Sequence, residues 1–156
     1  MDENNGGSPR KEESEELSEE QARLLKEKIR SRLLVDKAVL LDELVELSAD
    51  HISLEENGKV HIKGPEKRKG AELAALTLVG KKLAKLGGLC ADDVADLSEI
   101  LEATGLTQEV ATARLSDLRK EGTVESPSRG KYRIRSLARA RKVLSSIDSA
   151  PRQGGE

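Results

Sequence analysis

The chain has 156 residues, 27 Lys+Arg against 29 Asp+Glu, and a net charge of −2. One Tyr is its only aromatic residue, which excludes a base-stacking platform for single-stranded nucleic acid and an aromatic cage for quaternary ammonium groups. One Cys excludes an internal disulfide framework and a multi-cysteine zinc site, and no apolar run approaches the roughly 20 residues that cross a bilayer.

Residues 1–20 hold eight acids and two bases, a net of −6. No apolar residue lies between Met1 and Leu17. Residues 1–16 are therefore expected to be a disordered acidic arm, acting either as a solubilising tail or as an internal DNA mimic. The start lacks the apolar core of a secretory signal, so a cytoplasmic location is the expectation. Residues 149–156 read as a flexible tail.

Ser18-Glu19-Glu20-Gln21 fits a capping box and opens a helical stretch over 18–50. Leu25, Ile29, Leu33, Leu40, Leu44 and Leu47 follow helical spacing. The stripe is interrupted near Asp36-Lys37, so either one long helix or two with a break there fits. Such a stripe must be covered, by the rest of the chain or by a second copy in a homodimer through residues 18–50.

Residues 51–63 read as a β-hairpin. A two-residue Asn57-Gly58 turn would scatter the apolar residues over both faces. A three-residue loop, Glu56 to Gly58 with Gly58 left-handed, pairs Leu54 with Val60 and Ile52 with Ile62 and puts all four on one face, which is the register preferred. That face is expected to pack on a helix. His51 and His61 then fall on one side of the hairpin as diagonal neighbours, with only scattered carboxylates to accompany them, so no metal is expected.

After Gly64-Pro65, residues 66–87 read as a helix with Leu76, Val79, Leu83 and Leu86 on one face, stopped by Gly87-Gly88. An extended piece, Leu89 to Asp96, leads to Ser98 as an N-cap. Cys90 in its apolar setting reads as a buried, inert thiol.

From Ser98 the punctuation is regular. A helix over 98–104 stops at Gly105. Thr107 caps a second helix over 108–121, which stops at Gly122. Residues 123–126 and 131–135, joined by a turn at Pro127-Ser128-Arg129-Gly130, form a two-stranded ribbon with Tyr132 and Ile134 on one face and Lys131, Arg133 and Arg135 on the other. A last helix spans about 136–148, with Leu137, Ala140, Leu144 and Ile147 on one face. At 100° per residue, Ala111, Leu115 and Leu118 turn the second helix toward the core. Glu109, Ala113, Ser116 and Lys120 face outward, flanked by Gln108, Thr112 and Asp117.

Helix, glycine-containing turn, helix and hairpin make this stretch resemble the winged-helix superfamily, in the style of small prokaryotic transcription regulators. The resemblance is carried by residues 97–135 and extends to about 70; Leu115, Leu118, Gly122, Val124, Gly130 and Tyr132 fall at its core, helix-stop and wing positions. It implies a winged helix-turn-helix domain over 65–148; with the N-terminal helices and hairpin read over 17–64, the expected fold is mainly α with small β-hairpins.

The function it implies is double-stranded DNA binding, as a transcriptional or chromosome-associated regulator, with helix 108–121 in the major groove and the wing at 123–135 on the backbone. Gln108 would read adenine, and Thr112 or Ala113 would touch a thymine methyl. Ser116, Arg119 and Lys120 would meet phosphate or sugar, and Arg129, Lys131 and Arg133 would serve the wing. Charge layout agrees with this: ten bases against four acids over 107–142, a net of +6, and six against two over 64–90, a net of +4.

Glu109 and Asp117 lie on the reading face, and no Arg stands where a guanine contact is usual. This leaves a second reading, a protein-interaction winged helix acting as a scaffold subunit. No phosphate-loop, nucleophile-elbow, zinc-protease or dinucleotide motif occurs, so neither a cofactor nor an enzyme is expected.

Overall fold

The computed structural model describes residues 16–34 and 36–149. The expected acidic arm and C-terminal tail therefore lie almost wholly outside the described residues. The protein is mainly helical with two small antiparallel sheets. It divides into two compact units, one ending at Lys37 and the other beginning at Ala38.

Among the described residues, the first unit holds the helix α1 (Glu19–Arg32). Its expected capping box is formed: Gln21 N donates to Ser18 Oγ, and Ser18 N donates to Gln21 Oε1. The helix ends at Arg32, and a second, α2 (Lys37–Ser48), follows, so residues 18–50 form two helices.

In the second unit, α2 leads to strands β1 (Ile52–Leu54) and β2 (Val60–Ile62). Their register pairs Ile52 with Ile62 and Leu54 with Val60, as the hydrophobic pattern requires. Glu55 N donates to Lys59 O and Gly58 N to Glu55 O, closing a loop in which Gly58 takes φ 92°.

A 3-10 turn at Pro65–Lys67 precedes α3 (Gly70–Leu86), so the helix starts later than the expected 66. The expected single apolar face is also too narrow. Leu73 through Gly80 are all buried, while Leu83 is half-buried and Leu86 exposed. A helix buried all round is the central element of a core. Both hairpins and the helices described below pack against α3. The β1–β2 hairpin sits directly on it: a Cβ at Gly80 would lie 2.8 Å from Val60 Cγ1 and 3.1 Å from Ile52 Cδ1. One core therefore runs through Leu44, Ile52, Val60, Ile62, Leu76, Ile100, Leu115, Ile134 and Leu144. It crosses position 65, where the sequence suggested a division.

Past α3 come β3 (Ala95–Asp96), α4 (Leu97–Thr104), α5 (Gln108–Lys120), β4 (Val124–Ser128), β5 (Lys131–Ile134) and α6 (Leu137–Ser149). Of the short extended piece expected over 89–96, only Ala95–Asp96 forms a strand, β3. This short strand pairs Ala95 with Tyr132 and Asp96 with Lys131, so the ribbon is a three-stranded sheet in the order β3-β5-β4. Asp96, not Ser98, caps α4: its carboxylate accepts from Glu99 N at 2.9 Å, and Glu99 returns the bond to Asp96 N.

Candidate functional site

Gly105 (φ 74°) ends α4, and Thr107 Oγ1 accepts from Val110 N to start α5, so three residues turn the chain between the two helices. Ala111, Leu115 and Leu118 are buried, which sets the helix rotation as expected from its period. Gln108, Glu109, Thr112, Ala113, Asp117, Arg119 and Lys120 are exposed, and Ser116 is half-buried. Asp117 is not an isolated charge, because Arg114 Nη2 lies 3.1 Å from its carboxylate. Glu109 has no hydrogen-bonding or ionic partner among the described residues.

The β4–β5 hairpin differs from expectation at its tip. Strand β4 runs on through Pro127 and Ser128, leaving Arg129 and Gly130 (φ 74°) as the turn. The register slips between Glu125 and Ser128, and Ser126 Oγ donates to Ser128 O there. Proline has no N–H for the ladder, and an irregularity accommodates it.

Ser116, Arg119 and Lys120 of α5 face Val124, Glu125, Ser126 and Arg135 across an open groove of about 600 Å³. Gly122 (φ 84°) forms the bend between the helix and the hairpin, and its bare α-carbon leaves room for two guanidinium groups. A Cβ there would stand 3.2 Å from Arg135 Nη1 and 3.4 Å from Arg139 Nη2. Arg135 and Arg139 therefore add to the cationic set of Arg119 and Lys120. Neither was among the candidate contact residues, although both lie just past β5, where the chain turns back toward Gly122.

The candidates thus separate into groups. Ser116, Arg119 and Lys120 share the groove. Gln108, Thr112 and Ala113 lie on the exposed N-terminal half of α5, outside the groove lining. Arg129 and Lys131 are exposed at the hairpin tip. Arg133 is bound: its Nε donates to Glu125 Oε2 at 2.6 Å. That hydrogen bond raises its pKa, with the charges of Glu125 and Asp93 adding to the effect against desolvation.

Ion pairing occupies several bases of the second unit. Lys59 is held by Glu102 at 2.8 Å, Lys81 by Glu99 at 2.8 Å, Lys82 by Asp93 at 3.0 Å, and Arg141 by Glu43 at 2.8 Å. The +4 excess over 64–90 is thus partly spent inside the fold. Arg119, Lys120, Arg129, Lys131 and Arg135 have no carboxylate within ion-pair distance among the described residues.

The two histidines do not converge. His51 is fully buried and bonded to Asp148, whereas His61 is half-exposed and bonded to Glu55. The described residues contain no cluster of three metal-ligating side chains. Cys90 is half-buried rather than buried, and its thiol donates to Asp92 O at 3.3 Å. No helix among the described residues is long and apolar enough to cross a membrane. Comparison of the chain with protein-family models, with curated proteins and with solved structures yields no match.

Proposed function

We propose that this protein is a winged helix-turn-helix that binds double-stranded DNA, as a transcriptional or chromosome-associated regulator. In this reading α5 enters the major groove and the β4–β5 hairpin lies along the backbone. The observation that carries it is a local cluster of unpaired cations. Arg119, Lys120 and Arg135 gather around one groove and Arg129 and Lys131 stand at the hairpin tip, all without a carboxylate within ion-pair distance among the described residues. Cations kept unpaired on one face suit a polyanion, which releases counterions when they bind.

Arg119, Lys120, Arg135 and Ser116 would hold one phosphate strand, and Arg129 and Lys131 a flanking one. Gln108, Thr112 and Ala113 would meet base edges. Arg133, already paired with Glu125, contributes least.

The competing reading is a protein-interaction scaffold. It is favoured by unpaired Glu109 and by Val110, 42% exposed, on the N-terminal half of α5. A salt titration of duplex binding separates the two. DNA binding predicts affinity falling steeply with salt, whereas no duplex binding at low salt would overturn it and favour the scaffold. Selection from a random duplex pool then distinguishes a sequence-specific regulator from a general binder.

A further inference from the structure

Helix α1 is a folded element without a core. It is 14 residues long and none of them is buried. Leu24 is 53% and Leu25 47% exposed, and the helix runs into Leu33 at 74%. A helix of this length is marginal in water without tertiary support. Ala22, Leu25, Ile29 and Leu33 nevertheless recur at spacings of three and four, which builds one apolar stripe.

The charges along the same helix identify what covers the stripe. Its first turn is acidic, with Glu19 and Glu20, and its second half is basic, with Lys26, Lys28, Arg30 and Arg32. The remaining acid, Glu27, lies 4.0 Å from Arg23 of the same helix. The surface is therefore complementary to itself when reversed. Glu19 and Arg30 lie on the same side of the stripe, about three turns apart. In an antiparallel helix pair, positions on the same flank face one another, so Glu19 of each copy meets Arg30 of the other. Two-fold symmetry forms every such contact twice. A pairing centred near Leu25 also sets small Ala22 toward large Ile29. A parallel pair would instead align acid with acid and base with base.

We propose that α1 is a homodimerisation helix, pairing antiparallel with α1 of a second copy through Ala22, Leu25, Ile29 and Leu33. The pairing stands independently of what α5 and the hairpin bind.

Sedimentation equilibrium of the full chain tests it. The wild type should show a concentration-dependent monomer–dimer equilibrium. Leu25→Asp with Ile29→Asp should weaken it by more than about a hundredfold. No residue of α1 is buried, so the thermal melt of the second unit should be unchanged and should show that the variant is folded. Glu19→Lys should weaken the dimer several-fold, and adding Arg30→Glu should restore it. A parallel dimer would be indifferent to the first charge reversal, because like charges would still face like charges. A wild type that stays monomeric at the highest concentration reached, or a dimer insensitive to the aspartates, overturns α1 as the interface. A dimer insensitive to the charge reversal overturns the antiparallel arrangement.

Discussion

His51 Nε2 and Asp148 Oδ1 stand 2.7 Å apart across 97 residues of chain, joining the start of the first hairpin to the last turn of α6. The imidazole is wholly buried, while the carboxylate is 39% exposed. A carboxylate accepts, so Nε2 carries the proton in this contact. The other ring nitrogen, Nδ1, is buried without a hydrogen-bond partner among the described residues, as is Ser48 Oγ nearby in sequence. Helix α2 and the start of the first hairpin are thus each tied to α6, through the bidentate Arg141–Glu43 pair and through this contact.

Replacing His51 by Ala should cost about 2–3 kcal/mol, since it removes a buried ring and leaves a cavity as well as a broken hydrogen bond. His61→Ala, on the exposed face opposite Ser53, should leave stability unchanged. Urea unfolding of the two variants checks the contrast. Equal losses would mean that burial of His51 contributes nothing.

Gly80 should tolerate no side chain. Its Cβ would fall 2.8 and 2.9 Å from the two methyls of Val60, and the β1–β2 hairpin cannot retreat without opening the core. Gly80→Ala is expected to cost about 1–3 kcal/mol by overpacking. Gly80→Ala combined with Val60→Ala should recover part of that loss, a coupling that a double-mutant cycle of thermal melts measures.

Acid stability should depend on Asp93 and Asp96. Burial alone would raise the Asp93 pKa, but the hydrogen bond and charge of Lys82 outweigh it and hold the carboxyl below its ordinary value. Asp96 is lowered by its bond from Glu99 N and by the Ser98 hydroxyl. A carboxylate whose pKa is depressed by folding adds stability above its unfolded pKa and loses it as pH falls through the folded one. Asp93→Asn and Asp96→Asn should therefore destabilise the protein at neutral pH and leave it nearly unaffected once both carboxylates of the wild type are protonated. A loss that persists undiminished at low pH would assign the effect to packing.

On the DNA reading, Arg129→Ala with Lys131→Ala should reduce the log–log salt slope of duplex binding by about two units, and Arg135→Ala by about one. Lys81→Ala should leave the slope unchanged, because Lys81 is already occupied by Glu99. Equal effects at Lys81 and at the hairpin tip would contradict the charge allocation.

Glu125→Gln should act in the opposite direction. It removes an acid from the groove and frees the Arg133 guanidinium, so duplex affinity should rise and the slope should steepen by about one unit. Unchanged binding would place the groove away from the phosphates.

Local pattern alone determined a good part of this protein. The register of the first hairpin followed from keeping Ile52, Leu54, Val60 and Ile62 on one face. The rotation of α5 followed from Ala111, Leu115 and Leu118, and the helix ends from Gly105 and Gly122. These features are set by residues within a few positions of one another, where period and turn chemistry act directly.

What the tertiary structure decided depends on segments meeting after long excursions. Strand β3 is too short to carry a periodic signal and exists because β5 offers it an edge. Asp96 rather than Ser98 caps α4 because that pairing sets where the extended backbone ends. Counting charges showed a basic region but not which cations were free. Only the fold assigned Glu125 to Arg133 and carried Glu99 and Asp93 to Lys81 and Lys82, leaving Arg119, Lys120 and Arg135 around one groove.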